Sequence, residues 1–377
     1  MRRACRPLRG RGTPGRLRKV RVTVLIGPEA PGDRRLIEEI AAAEPARLSA
    51  SGQVLAASDA PALRALLTTP AEAYVVLPGP LAEARELMTE PGPHAARTVW
   101  LDLHHTGPAR VADGAAHIHG RGLDGLAWAL RHAVHRTRHP ARRVPYGGHP
   151  DQWADVRLPA EPRRAGAETP VAVLVHGGFW RSIWAADLMD AAAVDLAGRG
   201  FPVWNLEYRR PDAHGWAATT ADVAAGLAAV SAGSGPLVVL GHSAGGTLAL
   251  RAAADAPGRV ALAVSLAGVL DLAEGDRRRM GNGAVAMALG GHVTDLPEVY
   301  AQASPIDRLP LGVPQLIVQG RGDEADFVDV GRRHARAARA AGDEAVLLER
   351  PGGHFDVIDP GSAIWQAMIE EIFRLLS

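Results

Sequence analysis

The chain has 377 residues, 47% of them hydrophobic and 22% charged, with a formal net charge of +1. That length exceeds what one core usually organises, so two folding units are expected, and the near-neutral balance leaves no basic field to hold nucleic acid. The single cysteine, Cys5, excludes an internal disulfide framework and a cysteine-ligated zinc site but leaves the redox compartment open, a reducing cytoplasm being the default expectation, and no stretch approaches the twenty or so apolar residues that a membrane helix needs.

Residues 1–19 hold eight Arg or Lys among Gly and Pro with no acidic group, and read as a disordered basic tail. From Val20 the pattern alternates: strands over 20–26, 53–57, 73–77 and 98–103, and helices over 36–43, 63–67, 81–88 and 122–135. Repeats of this length predict a small parallel sheet covered on both faces, so residues 20–140 are expected to form a flavodoxin-like α/β domain. Its role is not legible in its residues. The histidines at 104, 105, 117, 119, 132, 135 and 139 invite a metal site, but no acid or cysteine completes a familiar ligand spacing, so no metal is expected. His119-Gly-Arg-Gly122, ahead of the last helix, is either an anion-holding turn or a structural one.

Residues 136–150 carry the Pro and Gly of a linker, and the boundary is placed near Ala141, with a second domain over 141–377. Gln152 to Leu158 alternates as a half-exposed edge strand, and Val171 to Val175 reads as a buried one. The buried strand runs into His176-Gly-Gly-Phe-Trp-Arg181, where adjacent glycines allow close approach of backbone to a ligand. Gly178 and Phe179 are the expected N–H donors of an oxyanion hole, against the plainer reading of a turn between strand and helix.

A helix over 185–197, a strand over 201–207 and a helix over 216–230 lead to Leu237-Val-Val-Leu-Gly-His-Ser243-Ala-Gly-Gly246. Here a buried strand gives way to a helix at a Gly-x-Ser-x-Gly bend. Such a bend lifts the serine hydroxyl above the sheet, tolerates only small residues at Gly241 and Gly245, and aims the Ala244 N–H at a developing oxyanion. The alternative is a glycine-rich turn whose serine caps a helix. After a strand over 260–266, residues 271–304 form a long excursion read as a lid insertion.

Two further strands, Val313 to Gln319 and Ala345 to Glu349, end in Gly320-Arg-Gly-Asp323 and in Pro351-Gly-Gly-His354-Phe-Asp356. The order Ser243, Asp323, His354 is that of nucleophile, acid and base in α/β hydrolases. A neutral imidazole at 354 would take the serine proton during attack, and Asp323 would fix its tautomer and stabilise the imidazolium. Asp326 is the rival acid. Asp356 is expected to cap its own turn.

Together His176 to Trp180, Gly241 to Gly245, Gly320 to Asp323 and His354 to Pro360 resemble the kynurenine-formamidase and acetyl-esterase branch of the α/β hydrolases, over residues 144–377. The resemblance implies a mostly parallel sheet with helices on both faces, a Ser243, Asp323, His354 triad and an oxyanion hole from the Gly178 loop and Ala244. It also implies small ester or aryl-formamide substrates of the N-formylkynurenine kind, hydrolysed without cofactor or metal. Arg181 and the amino-terminal domain depart from that pattern. His176, Gly177, Trp180, Arg181, Trp184 and His242 are expected to line the substrate pocket, with Arg181 pairing a substrate carboxylate or a surface acid. The expected partner is a small molecule, and a homo-oligomer is left open. Two other readings stay open: a general carboxylesterase or small peptidase of the same fold, and a binding or regulatory protein whose hydrolase fold is a passenger.

Overall fold

The computed structural model describes residues 19–103, 105, 107–161, 169–230, 235–256 and 258–377. The basic segment 1–18 and His104 of the histidine set lie outside the described residues. Strands β1 (Arg21–Ile26), β2 (Ser51–Ala56), β3 (Ala73–Leu77), β4 (Thr98–Asp102) and β5 (Ala116–His119) form one sheet in the order β2-β1-β3-β4-β5. All its neighbours are parallel. Helices α1 (Arg34–Arg47), α2 (Ala60–Leu67), α3 (Ala82–Glu86) and α4 (Asp124–Arg138) cover it.

Alternation along each strand sends neighbouring side chains to opposite faces, which is why this sheet has two cores. Val22, Val24, Val75 and Leu101 meet Ile37 of α1 and Leu126 and Leu130 of α4. Leu25, Tyr74, Val76 and Trp100 meet Leu63 of α2 and Ala84 of α3 on the other face. The first two helices begin where an aspartate can cap them: Asp33 accepts from the Leu36 N–H at 2.8 Å and Asp59 from the Ala62 N–H at 2.8 Å.

A second sheet takes β6 (Arg142–Pro145), β7 (Trp153–Arg157), β8 (Val171–Val175), β9 (Val203–Glu207), β10 (Leu237–His242), β11 (Val260–Leu266), β12 (Gln315–Gly320) and β13 (Ala345–Arg350). Its order is β13-β12-β11-β10-β8-β9-β7-β6, with β7 antiparallel to both β6 and β9 and the other pairs parallel. Helices α5 (Asp190–Gly198), α6 (Pro211–His214), α7 (Trp216–Ala229), α8 (Ala244–Asp255), α9 (Leu272–Arg277), α10 (Met280–Leu289), α11 (Pro297–Ala303), α12 (Ala325–Ala340) and α13 (Ala363–Leu375) accompany it. The segment read as a linker contributes β6, so the strand expected at the edge, β7, sits one place in. Pro145 and two arginines suit the outer position, where one side of the strand needs no partner.

Residues 271–304, expected as a lid, form α9, α10 and α11. Leu272, Met280, Val285, Leu289 and Tyr300 from this stretch join the core around β8, β10 and β11. The segment is thereby fastened to the sheet at several points.

The two sheets meet along α4. Arg121, just ahead of that helix, bonds both carboxylate oxygens of Asp187 at 2.6 and 2.8 Å, with side chains 2% and 6% exposed. His132 Nδ1 lies 2.5 Å from Asp190 Oδ2, and Arg157 of β7 donates to the other oxygen at 3.1 Å. The turn at 119–122 therefore spends its arginine on a protein carboxylate, which makes it structural. Removing one partner of a buried pair strands the other charge, at about 3–5 kcal/mol. Asp187→Ala should lower unfolding stability by that amount, read as a shifted urea midpoint; a shift within experimental error would mean the junction does not depend on the pair.

Candidate active site

Ser243 stands between β10 and α8 with φ +52° and ψ −121°, a strained conformation for a residue with a side chain. The surrounding backbone enforces it. A Cβ at Gly241 would lie 2.0 Å from the carbonyl oxygen of Gly245, and one at Gly245 would lie 2.2 Å from that of Val175. The Ser243 N–H donates to the Leu266 carbonyl at 2.8 Å, tying the bend to β11. Ala244 opens α8, so its N–H is among the first-turn donors that have no partner within a helix, at the positive end of the helix dipole.

The loop after β8 comes to the same point. A Cβ at Gly177 would lie 2.7 Å from the His242 carbonyl oxygen and 2.9 Å from Ser243 Cβ. Gly178 has φ +114°, and Phe179 and Trp180 follow at +51° and +57°, so the chain turns sharply over the serine. The Arg181 guanidinium donates to the Gly281 carbonyl at 2.9 Å, and a Cβ at Gly281 would strike the Phe179 ring at 2.4 Å. Gly281, Asn282 and Gly283 are all left-handed, which is how α10 lays bare backbone on that loop.

Asp323 and His354 arrive from the ends of β12 and β13. His354 Nδ1 lies 2.9 Å from Asp323 Oδ2, with the carboxylate 2% and the imidazole 21% exposed. Gln319 Nε2 donates to the same oxygen at 3.0 Å, and the Glu324 N–H to Oδ1 at 2.8 Å. Asp326, the rival acid, is engaged by Arg278 at 3.0 Å. Asp356 Oδ2 accepts from the Gly353 N–H at 2.6 Å, closing the histidine loop on itself. The His354 ring packs between Phe327 at 4.5 Å, His242 at 4.9 Å and Phe355 at 5.5 Å. Among the described residues no hydrogen bond joins the Ser243 hydroxyl to His354, a contact that in resting sites is often long and tightens when substrate binds.

The other residues expected at the site divide. His242 Nε2 is 3.0 Å from the His354 carbonyl, which can only accept, so Nε2 carries the proton. This is a positional link between elbow and histidine loop. His176 is fully buried, stacks on Tyr208 at 4.4 Å and directs Nδ1 at the Gly177 carbonyl, 2.8 Å away. It lies beneath the loop instead of on an open wall. Trp180, 2% exposed, packs edge-on against Trp216 at 5.9 Å and belongs to the core. Trp184 turns to the amino-terminal sheet, with the Arg121 guanidinium 4.4 Å over its ring and Trp128 at 5.9 Å. The expected aromatic lining from Trp180 and Trp184 is therefore not formed; burial claims one indole and the sheet junction the other. Gly281, Phe327, Phe355 and Trp128 adjoin the site unforeseen. Phe355 could have been suspected as the neighbour of His354, whereas nothing local to Trp128 announces it.

Among the described residues no group of three or more His, Cys, Asp or Glu could hold a metal ion. His132 is committed to Asp190, and His117 lies 3.3 Å from Asp102. No described helix is long and apolar enough to cross a membrane.

Residues 155–330 match the BD-FAE family model, an α/β-hydrolase esterase family; the matched stretch holds Ser243, the Gly178 loop and Asp323 and stops short of His354. Three solved structures of similar fold are the bifunctional GH43-CE of Bacteroides eggerthii, esterase B from Lactobacillus rhamnosis and a truncated carbohydrate esterase from gut microbiota. The first is 19% identical at a TM-score of 0.52, covering 63% of this chain and 35% of that one, so this chain spans about a third of that protein. The second is 19% identical at 0.54, covering 67% and 92% of the two chains, and the third 19% at 0.53, covering 62% and 95%. At that identity the likeness speaks for the α/β-hydrolase fold of the larger sheet. No curated protein matches the chain.

Burial holds several imidazoles neutral. His176 and His242 are both pushed down to about 3, by burial first, then by the nearby Arg210 charge and the His354 ring respectively. Burial likewise lowers His135 and His334 to about 4. An unfolded chain takes up these protons near pH ~6.5, the native one only near 3 to 4, so their contribution is complete above about 6.5 and is lost as pH falls from there toward 4. The urea midpoint should be lower at about pH 5 than at about pH 7.5, with these four rings still neutral by NMR at the lower value; protonated rings in the folded protein at that pH would refute the account.

Proposed function

We propose that residues 141–377 are a serine hydrolase of carboxylic esters that works through an acyl-enzyme on Ser243. The observation that carries the reading is the left-handed serine at the strand-to-helix bend, with the Asp323–His354 pair on the loops after β12 and β13 and the His354 ring 4.9 Å from that of His242, the residue before the serine. A serine in that conformation costs about 1–3 kcal/mol, and a plain turn gains nothing from the expense.

In this reading the His354 imidazole, its Nδ1–H held by Asp323, presents Nε2 as the base. Ser243 gives up its proton and attacks the carbonyl. Negative charge on the tetrahedral oxygen is met by the N–H groups of Ala244 and of Gly178 or Phe179. His354 then returns the proton to the departing alcohol, and water repeats the sequence to release the acid and free the serine. His242 stays neutral throughout and holds the His354 carbonyl. The matched family and the fold likeness to esterases support ester substrates over formamides.

For the amino-terminal sheet, the order β2-β1-β3-β4-β5 supports a flavodoxin-like unit, with the division near Ala141 between α4 and β6.

A fluorophosphonate probe should label the wild-type protein and fail to label Ser243→Ala. With p-nitrophenyl acetate, Asp323→Asn should cut kcat by roughly 10³–10⁴ while Asp326→Asn stays near the wild-type rate. Absence of labelling in the wild type would overturn the mechanism; equal damage from both aspartate variants would remove Asp323 from its place; and faster turnover of N-formylkynurenine than of any short ester would shift the substrate class to formamides.

A further inference from the structure

We propose that Trp128, on α4 of the amino-terminal sheet, is a positioning residue for the hydrolytic site, holding the oxyanion loop and the His354 loop in register with each other. The proposal rests on the serine-hydrolase reading above for its catalytic consequence and on geometry for the coupling itself. The Trp128 ring meets Trp184 edge-to-face at 5.9 Å and Phe355 at 5.6 Å. Each of those partners touches a loop that handles the reacting atoms.

Trp184 presses on Gly178. A Cβ at Gly178 would fall 2.3 Å from Trp184 Cβ and Cγ, so the tryptophan packs directly against that peptide, in the space a side chain at 178 would take. On the other side Phe355 follows His354 in sequence and packs on its ring at 5.5 Å and on that of His242 at 5.7 Å. One indole thus spans two loops that lie about 170 residues apart in the chain, as 354 lies from 184.

Arg121 fixes the frame from which Trp128 acts. Its guanidinium lies 4.4 Å over the Trp184 ring, donates to the Ile183 carbonyl at 2.6 Å and pairs with Asp187, so the segment after the oxyanion loop is bonded to the start of α4. Phe355 has no such frame of its own. It is 47% exposed, and beside it a cavity of about 510 Å³ runs between the sheets, lined by Trp128, Arg131, Leu188 and Ile358 among others. Truncating the indole would enlarge that cavity and leave Phe355 free to swing into it.

Catalysis by a serine and an imidazole from different loops is sensitive to their spacing, and a displacement of about 1 Å can cost 10²-fold. Trp128→Ala should therefore lower kcat for p-nitrophenyl acetate by about ten- to a hundred-fold with KM within about twofold, and Trp128→Phe should restore most of it. Phe355→Ala added to Trp128→Ala should cost less than the two single losses combined, since both cut the same link. Hydrogen exchange, which needs no turnover, should quicken in Trp128→Ala within residues 176–184 and 351–359 together, while α7 and α8 stay protected. Unchanged kcat in Trp128→Ala, failure of Trp128→Phe to rescue, or exchange that rises across the whole chain would each overturn the proposal. Lack of fluorophosphonate labelling in the wild type would instead sink the hydrolase reading, and the paired exchange response would then decide the coupling by itself.

Discussion

The close approach of three stretches of backbone around Ser243 is the constraint on which the rest of this structure hangs. Gly241, Gly245 and the Val175 carbonyl meet at distances that no Cβ could share, and Gly177 rests against the serine itself. This contact obliges β8 and β10 to be neighbours, sends α8 back through the core, and makes the loop after β8 the roof of the bend. The free energy for holding a side chain at φ +52° comes from the burial of α8, whose Leu248, Ala249 and Leu250 are all within 1% of complete burial. A surface turn could not supply it.

From that point outward, the site is assembled by loops at one rim of the sheet, and each is tied to the next by a contact that does not involve substrate. His242 grips the His354 carbonyl, Asp323 grips the His354 ring, and Arg181 grips α10 through Gly281. The amino-terminal sheet enters as one more member of this ring of contacts. Its buried Arg121–Asp187 pair and the His132, Asp190, Arg157 cluster make the junction polar and directional, so the two sheets are set at one orientation where an apolar seam would let them slide.

The elements nearest the chemistry were the most legible in the amino-acid sequence, because backbone geometry there demands particular residues. Glycines flanking a serine after Leu237–Leu240, paired glycines after Val171–Val175, and an acid and a histidine each following a strand announce themselves in order. What escaped was decided by packing between distant segments. Arg142 to Val144 looked like linker because an outer strand needs neither alternation nor apolar content. Trp180 and Trp184 follow the glycine loop after β8 as closely as lining residues would, yet one is drawn into the core and the other across to α4. The turn at His119 to Gly122 allowed an anion-holding or a structural reading; what gives it the structural role is the Arg121 pair with Asp187, which lies 66 positions away and has no marking of its own. The Gly-x-x-Asp placement favours Asp323 over Asp326 from the residues alone, and the fold separates them further, pairing Asp323 with His354 and Asp326 with Arg278.

The outermost strand, β6, also bears on how this molecule behaves among its copies. Its free side offers Pro145, which has no N–H to give, and the side chains of Arg142 and Arg143, the latter lying 3.4 Å over the Trp153 ring and paired with Asp155. Another chain adding a strand there would lose a rung of the ladder and bring cations face to face. Growth of the sheet from molecule to molecule is thus blocked at this end, and any strand added between copies would have to come to β13 or to the smaller sheet instead.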